Sequence, residues 1–116
     1  MTTRPLPLLQ GTLELLILEA LRSGRALHGF EILRWIYETS GATLTIEEGS
    51  LYPALHRMED RGWITSEWGV SERGRRAKYY RIAPPGRRQL VHEERTWLAY
   101  VDAVGRLLTA ARAATA

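Results

Sequence analysis

The sequence predicts a mainly α protein carrying one small β-hairpin. Three observations lead there: helical apolar spacing recurs in three segments before Gly62, period-two alternation replaces it between Ile64 and Ile82, and helical spacing returns after Pro84-Pro85-Gly86. A length of 116 residues suits one core, since two cores would each be too small to be secure. An apolar content of 45% argues against wholesale disorder.

Leu9, Leu13, Leu16, Ile17 and Leu21 predict a first helix from about Leu9 to Arg22, ended by Ser23-Gly24. A second helix is expected from about Leu27 to Ser40, closed by Gly41, with Phe30, Leu33, Ile36 and Tyr37 as its buried stripe. The third, within about 46–61, has two possible starts. Thr45 and Glu48 match a capping box and would start it at Ile46. Pro53 favours Ser50 instead, because a proline deep in a helix removes a hydrogen bond and crowds the turn before it. From either start Leu51, Leu55 and Met58 face inward, and Arg61-Gly62 ends the helix.

Ile64, Ser66 and Trp68 then share one strand face, with Thr65 and Glu67 on the other. Gly69 to Gly74 is a polar turn. A second strand, about Arg75 to Ile82, puts Lys78, Tyr80 and Ile82 on one face and Ala77 and Tyr79 on the other. Such a hairpin must pack on the helices to persist. Pro85 suits the first turn of a last helix reaching about Ala113. Along it Trp97, Val101, Val104, Leu108 and Ala111 follow the 4-3-4-3 spacing of a helix-pairing seam. The seam can pack on the chain's own core or on a second copy. A partner helix is favoured, since the first three helices already match one another and a long last helix projects beyond so small a body. The chain thus divides at 1–83 and 84–116, a body and a C-terminal dimerisation helix forming one structural unit.

Charge is uneven along the chain. Residues 1–70 hold six basic and nine acidic residues, whereas 71–88 hold seven basic residues (Arg73, Arg75, Arg76, Lys78, Arg81, Arg87, Arg88) against Glu72 alone. The net charge of +3 therefore averages a local excess of +6 over an acidic remainder. A concentrated patch of this kind suits a polyanion. With no Cys, a disulfide framework, a zinc knuckle and thiol catalysis are excluded, and a reducing compartment fits. The apolar run Leu13–Leu21 is broken by Glu14 and Glu19 and fits neither a signal peptide nor a membrane span. A cytoplasmic protein that engages no membrane is expected.

Three helices followed by a hairpin is the winged helix-turn-helix order, in which the third helix enters the DNA major groove and the hairpin loop meets backbone or minor groove. Double-stranded DNA is the expected partner, and the basic patch falls on the wing, about 69–81. Ser50, Tyr52, His56 and Arg57 lie off the inward stripe of the third helix, where Arg57 can grip a guanine with two hydrogen bonds.

The segments Gly11-Thr12-Leu13-Glu14-Leu15-Leu16-Ile17-Leu18, His28-Gly29-Phe30-Glu31-Ile32 and Gly49-Ser50-Leu51-Tyr52-Pro53-Ala54-Leu55 closely resemble the PadR family of bacterial transcriptional regulators. So do Trp68 and Gly74-Arg75-Arg76-Ala77-Lys78-Tyr79-Tyr80-Arg81. The match spans about residues 8 to 86 in order, and the tail after Pro85 resembles the small subfamily with a single C-terminal helix. The resemblance implies a homodimeric, ligand-responsive repressor on a palindromic operator. It implies DNA contacts from Ser50, Tyr52, Pro53 and Arg57 on the recognition helix, from Arg75, Arg76 and Lys78 on the wing, and from His28 at the start of the second helix. His56 and Arg73 join them by position. Phe30 departs from the family's usual Tyr, which removes one hydroxyl. Some relatives take a planar or phenolic effector between subunits, which implicates Trp97, with Trp35 or Tyr100 as companions.

An enzyme is not expected. His92-Glu93-Glu94-Arg95-Thr96 begins like a zinc-protease motif, but Thr96 stands where the second metal ligand belongs. No metal or cofactor is expected. The competing reading is a basic interaction module for RNA or an acidic protein, although one small hairpin offers little of the aromatic sheet face that stacks RNA bases.

Overall fold

A computed structural model describes residues 6–115. In chain order it contains α1 (Leu13–Ala20), β1 (Leu27–His28), α2 (Gly29–Thr39), α3 (Glu48–Asp60), β2 (Ile64–Val70), β3 (Arg76–Ile82) and α4 (Pro84–Thr115). The fold is mainly helical, with a small antiparallel sheet and a long C-terminal helix, the winged helix-turn-helix arrangement.

α1 starts four residues later than its apolar spacing predicts. Gly11 takes a φ of 85°, open to glycine without strain, and Thr12 Oγ1 donates to the Leu9 carbonyl at 2.6 Å. That turn ends any helix reaching back to Leu9, which is exposed. Leu15, Ile17, Leu18 and Ala20 are buried and begin the core, completed by Ile32, Ile36, Leu51, Leu55, Met58, Ile64 and Tyr80. Each fully buried leucine or isoleucine contributes about 1.5–3 kcal/mol.

α2 also begins two residues late. Leu27 and His28 form a short strand against Tyr80 and Tyr79, so the sheet has three strands in the order β1-β3-β2 instead of the expected two. The backbone leaves that strand at His28, in extended conformation, and a capping box closes the turn. Glu31 N–H donates to His28 Nδ1 at 3.3 Å and His28 N–H to Glu31 Oε1 at 3.0 Å. Of the expected α2 stripe Ile36 is buried and Leu33 packs half-buried on the core, whereas Phe30 and Tyr37 are exposed and Ile32 is buried in their place. A later helix start does not change which residues are four apart, so burial was decided by where the sheet holds residue 28.

α3 starts at Glu48, between the two expected positions. No side chain caps it, so the Thr45–Glu48 box does not form. Instead Ile46 and Leu51 both enter the core, the spacing of a hydrophobic staple around the N-cap Glu47. Pro53 sits inside the helix. Its missing N–H costs the Gly49 carbonyl a partner, but Gly49 is exposed and water serves there.

The two long strands pair Ile64 with Ile82, Ser66 with Tyr80, Trp68 with Lys78 and Val70 with Arg76. The predicted face of Ile64, Ser66 and Trp68 is real, but burial fades along it as the strand leaves the body. α4 runs from Pro84 and packs its first turns on the body through Gly86 and Leu90, with α1 as its main helical neighbour. Trp97 of the predicted seam is half-buried against the core, whereas Val101 and Leu108 are exposed. Leu98, outside the predicted seam, is exposed as well.

Gly86 lies where α4 crosses the Trp63 backbone. A Cβ at this position would overlap the Trp63 carbonyl oxygen and press on Ile82 Cγ1 at 3.0 Å. A backbone carbonyl cannot swing aside like a side chain, and the Trp63 oxygen also accepts the Ala83 N–H at 2.9 Å. Gly86→Ala is therefore expected to destabilise by about 1–3 kcal/mol despite alanine's better helix propensity, read as a lower urea midpoint. An unchanged midpoint would mean that the crossing opens freely.

Candidate nucleic-acid interface

A cleft of about 660 Å³ opens between the start of α2, Tyr52 of α3 and the wing. His28, Tyr52, Arg73, Arg75, Arg76 and Lys78, six of the residues singled out from sequence, line it together. Phe30, Arg34 and Trp68 line it too. Ser50, Pro53, His56 and Arg57 are not in its wall but on the exposed face of α3 beside it. The cleft wall carries Arg34, Arg73, Arg75, Arg76 and Lys78 against Glu31 and Glu72, and the exposed face of α3 presents hydroxyl, imidazole and guanidinium groups.

Two of these side chains have local work as well. His28 caps α2 as described, and its ring meets Tyr79 edge-on at 5.4 Å between centroids. Tyr52 lies against Gly29, where a Cβ would come within 2.6 Å of its hydroxyl oxygen. It remains 46% exposed. Burial, with the Glu48 charge adding to it, raises the Tyr52 pKa above its ordinary 10.0, so its hydroxyl stays a proton donor near neutral pH. Tyr52 thus packs against Gly29 and presents a donor at once.

The cations are not equivalent. Lys78 Nζ lies 3.4 Å from Glu59 Oε1 of α3, and Ser66 Oγ donates to the other carboxylate oxygen. Glu59 thus ties the recognition helix to both wing strands. Arg57 Nε is 3.8 Å from Glu14 of α1, which Arg61 also reaches at 3.4 Å. His56 Nε2 is 3.6 Å from Asp60 in a fully solvated pair. Arg76 stacks on Trp68, its guanidinium carbon 4.4 Å from the ring centroid.

The basic run of the sequence divides in space. Arg81 lies on the strand face opposite Lys78 and Arg76 and reaches the Gly24 carbonyl at 3.5 Å, and Arg87 donates to the Arg22 carbonyl at 3.1 Å. These two satisfy carbonyls just past the end of α1, where a helix lacks donors and favours positive charge. The expectation that the whole segment forms one wing patch is corrected accordingly. Strand alternation sends odd and even positions to different sides.

Arg34, Trp68 as a stacking surface, and Glu59 were missed from sequence. Arg34 stands four residues after Phe30 on α2, one helical turn away, but only the β1 pairing shows that this turn faces the wing. The predicted effector residues do not converge on one cavity. Trp35 lines a smaller cleft of about 210 Å³ with Leu27, Arg25 and Glu38, while Trp97 packs against the core and Tyr100 is exposed on α4. Among the described residues no helix is long and apolar enough to cross a membrane.

The profile of the transcriptional regulator PadR-like family matches residues 17–92. A transcriptional regulator of Mycobacterium tuberculosis is 39% identical over 67 residues, a match covering 50% of this chain and 62% of that protein. The match to the other curated relative covers 64% of its length, so the chain spans less than two thirds of either. Among solved structures, a transcriptional regulator from Clostridium thermocellum superposes with a TM-score of 0.75 at 29% identity, over 84% of this chain and 93% of that one. A PadR family regulator from Eggerthella lenta superposes with a TM-score of 0.72 at 33% identity, over 85% and 83%.

Glu59 makes an acid-stability prediction. Its hydrogen bond from Ser66 and then the nearby Lys78 hold its pKa below the ordinary 4.5, against the upward push of partial burial. A carboxylate depressed on folding stabilises above its unfolded pKa, and that contribution fades as pH falls through the folded value. Glu59→Gln should therefore lower stability by about 1 kcal/mol near neutrality and converge on the parent below about pH 4, followed by urea melts across pH. A constant gap at all pH values would show that the carboxylate charge is not what ties α3 to the wing.

Proposed function

Because the chain belongs to the transcriptional regulator PadR-like family, a family of regulators and not of enzymes, we propose that it binds duplex DNA through α3 and the wing cleft. The observation that carries this is the meeting of His28, Tyr52, Arg73, Arg75, Arg76 and Lys78 in one cleft beside the open face of α3. The α3 face reads base edges and the cleft takes phosphates, the division of labour by which such folds locate an operator. Comparing affinity for duplex DNA, single-stranded RNA and heparin at two salt concentrations tests it. Preference for duplex is expected, and equal binding to all three would favour a general basic module for RNA or acidic proteins.

The reading extends to a homodimer on a palindromic operator. Val91, Leu98, Val101 and Leu108 expose apolar side chains along one side of α4. A helix pair formed there would set two recognition helices on half-sites about one helical turn apart. Repression by occupying the operator, with relief by a planar aromatic effector held between subunits near Trp97 and Tyr100, completes the proposal. A titratable quench of tryptophan fluorescence by phenolic compounds would support the effector, and loss of that quench in Trp97→Phe would place it.

Two substitutions separate roles on the DNA side. Arg75→Ala should weaken binding to all duplexes alike and reduce the salt slope by about one. Arg57→Ala should cost about 1–3 kcal/mol at particular base pairs, once its guanidinium has left Glu14 for a guanine. Unchanged base preference in Arg57→Ala would assign it to phosphate. For the α4 face, Val101→Asp should shift light-scattering mass to a monomer and weaken operator binding. A dimer that persists would place the interface elsewhere.

A further inference from the structure

We infer that the wing cleft grips the phosphate backbone with two aromatic-stacked arginines, Arg76 on Trp68 and Arg34 on Phe30, and that Trp68 is the positioning residue for Arg76. This rests on the duplex-binding reading above and deepens it. Trp68 is 60% exposed and Phe30 56%, large ring surfaces left in water. Each carries an arginine on its face: Arg76 Cζ at 4.4 Å from the Trp68 centroid, and Arg34 Cζ at 5.9 Å from the Phe30 centroid. All four line the same cleft, one pair from the wing and one from α2.

The register explains the first pair. Trp68 pairs with Lys78, so Arg76 is its diagonal neighbour on the same face, the reach at which long and aromatic side chains meet. That face is core at Ile64 and Tyr80 and becomes cleft wall where the strands outrun the body. In the second pair Phe30 and Arg34 are one helical turn apart on α2. Stacking suits arginine because it occupies the flat face of the guanidinium and leaves the in-plane N–H donors pointing outward. Those donors match a phosphate, and a guanidinium already ordered by a ring loses less freedom on binding. Phe30 supplies the ring face on α2. Arg34 thereby becomes a phosphate ligand on α2.

The test separates positioning from charge. Affinity for a random-sequence duplex is measured across a salt series for the parent, Trp68→Ala, Arg76→Ala, the double variant, Trp68→Phe and Arg34→Ala. Arg76→Ala and Arg34→Ala should each lower the salt slope by about one, since each removes a phosphate contact. Trp68→Ala should weaken binding about two- to fivefold with the slope unchanged, because the charge stays and only its placement is lost. Trp68→Phe keeps a ring and should retain most of the affinity. In the double variant, loss of Trp68 should add little once Arg76 is gone. Additive effects, or a Trp68→Ala variant that binds like the parent, would overturn the inference while leaving duplex binding intact. A change of base preference in Trp68→Ala would also overturn it, by showing that the indole touches bases itself. A parent that ignores duplex DNA removes the inference together with the reading beneath it.

Discussion

The pairing of β3 on both edges is the constraint from which the rest of the arrangement follows. Residues 79 and 80 are bonded to β1 on one side while residues 76 to 82 pair with β2 on the other. β1 is only Leu27 and His28, yet it sets the backbone direction from which α2 departs. A two-residue strand contributes little energy of its own, but it places the first turn of α2 beside the wing. Without it, His28, Phe30 and Arg34 would have no reason to share a cleft with Trp68 and Arg76. Glu59 adds a second tie by joining α3 to Ser66 and Lys78, so the recognition helix and the wing move as one body.

The sheet also sorts the positive charge. Arg76, Lys78 and Tyr80 of β3 line the cleft, as Ala77 does, while Arg81 turns to the Gly24 carbonyl, so basic residues of one strand have different duties. Lys78 is half-neutralised by Glu59, Arg81 satisfies a carbonyl past α1, and Arg76 lies on an indole. A segment that looks uniformly basic thus supplies structural caps and a binding wall at once. Four of its seven basic residues, Arg73, Arg75, Arg76 and Lys78, line the cleft, and of these Arg76 lies on an aromatic face, which leaves its in-plane donors pointing outward.

Much of this was legible in the sequence because it depends on local rules. Helical spacing located four helices, Gly24 and Gly62 marked ends that the structure keeps at positive φ, and alternation located both long strands with their correct faces. The wing and helix-start residues that line the cleft were singled out from charge and from motif resemblance. What failed were places where distant segments compete. Leu27 looks like a helix residue until β3 claims its backbone, and Phe30 and Tyr37 look like core until that claim sets where α2 starts. The Thr45 capping box lost to the Ile46–Leu51 staple because burying two large side chains outweighs one exposed hydrogen bond.

By itself the sequence determined the order of the four helices and the two long strands, the break at Pro84, the basic run and the family, since each rests on neighbours within a few residues or on short motifs. Tertiary structure alone decided which of those basic residues share a surface, that Gly86 must be glycine against the Trp63 carbonyl, and that exposed rings support Arg76 and Arg34. The physical reason is common to all three. Strand pairing and helix crossing join residues tens of positions apart, and a linear pattern carries no record of which face will meet which.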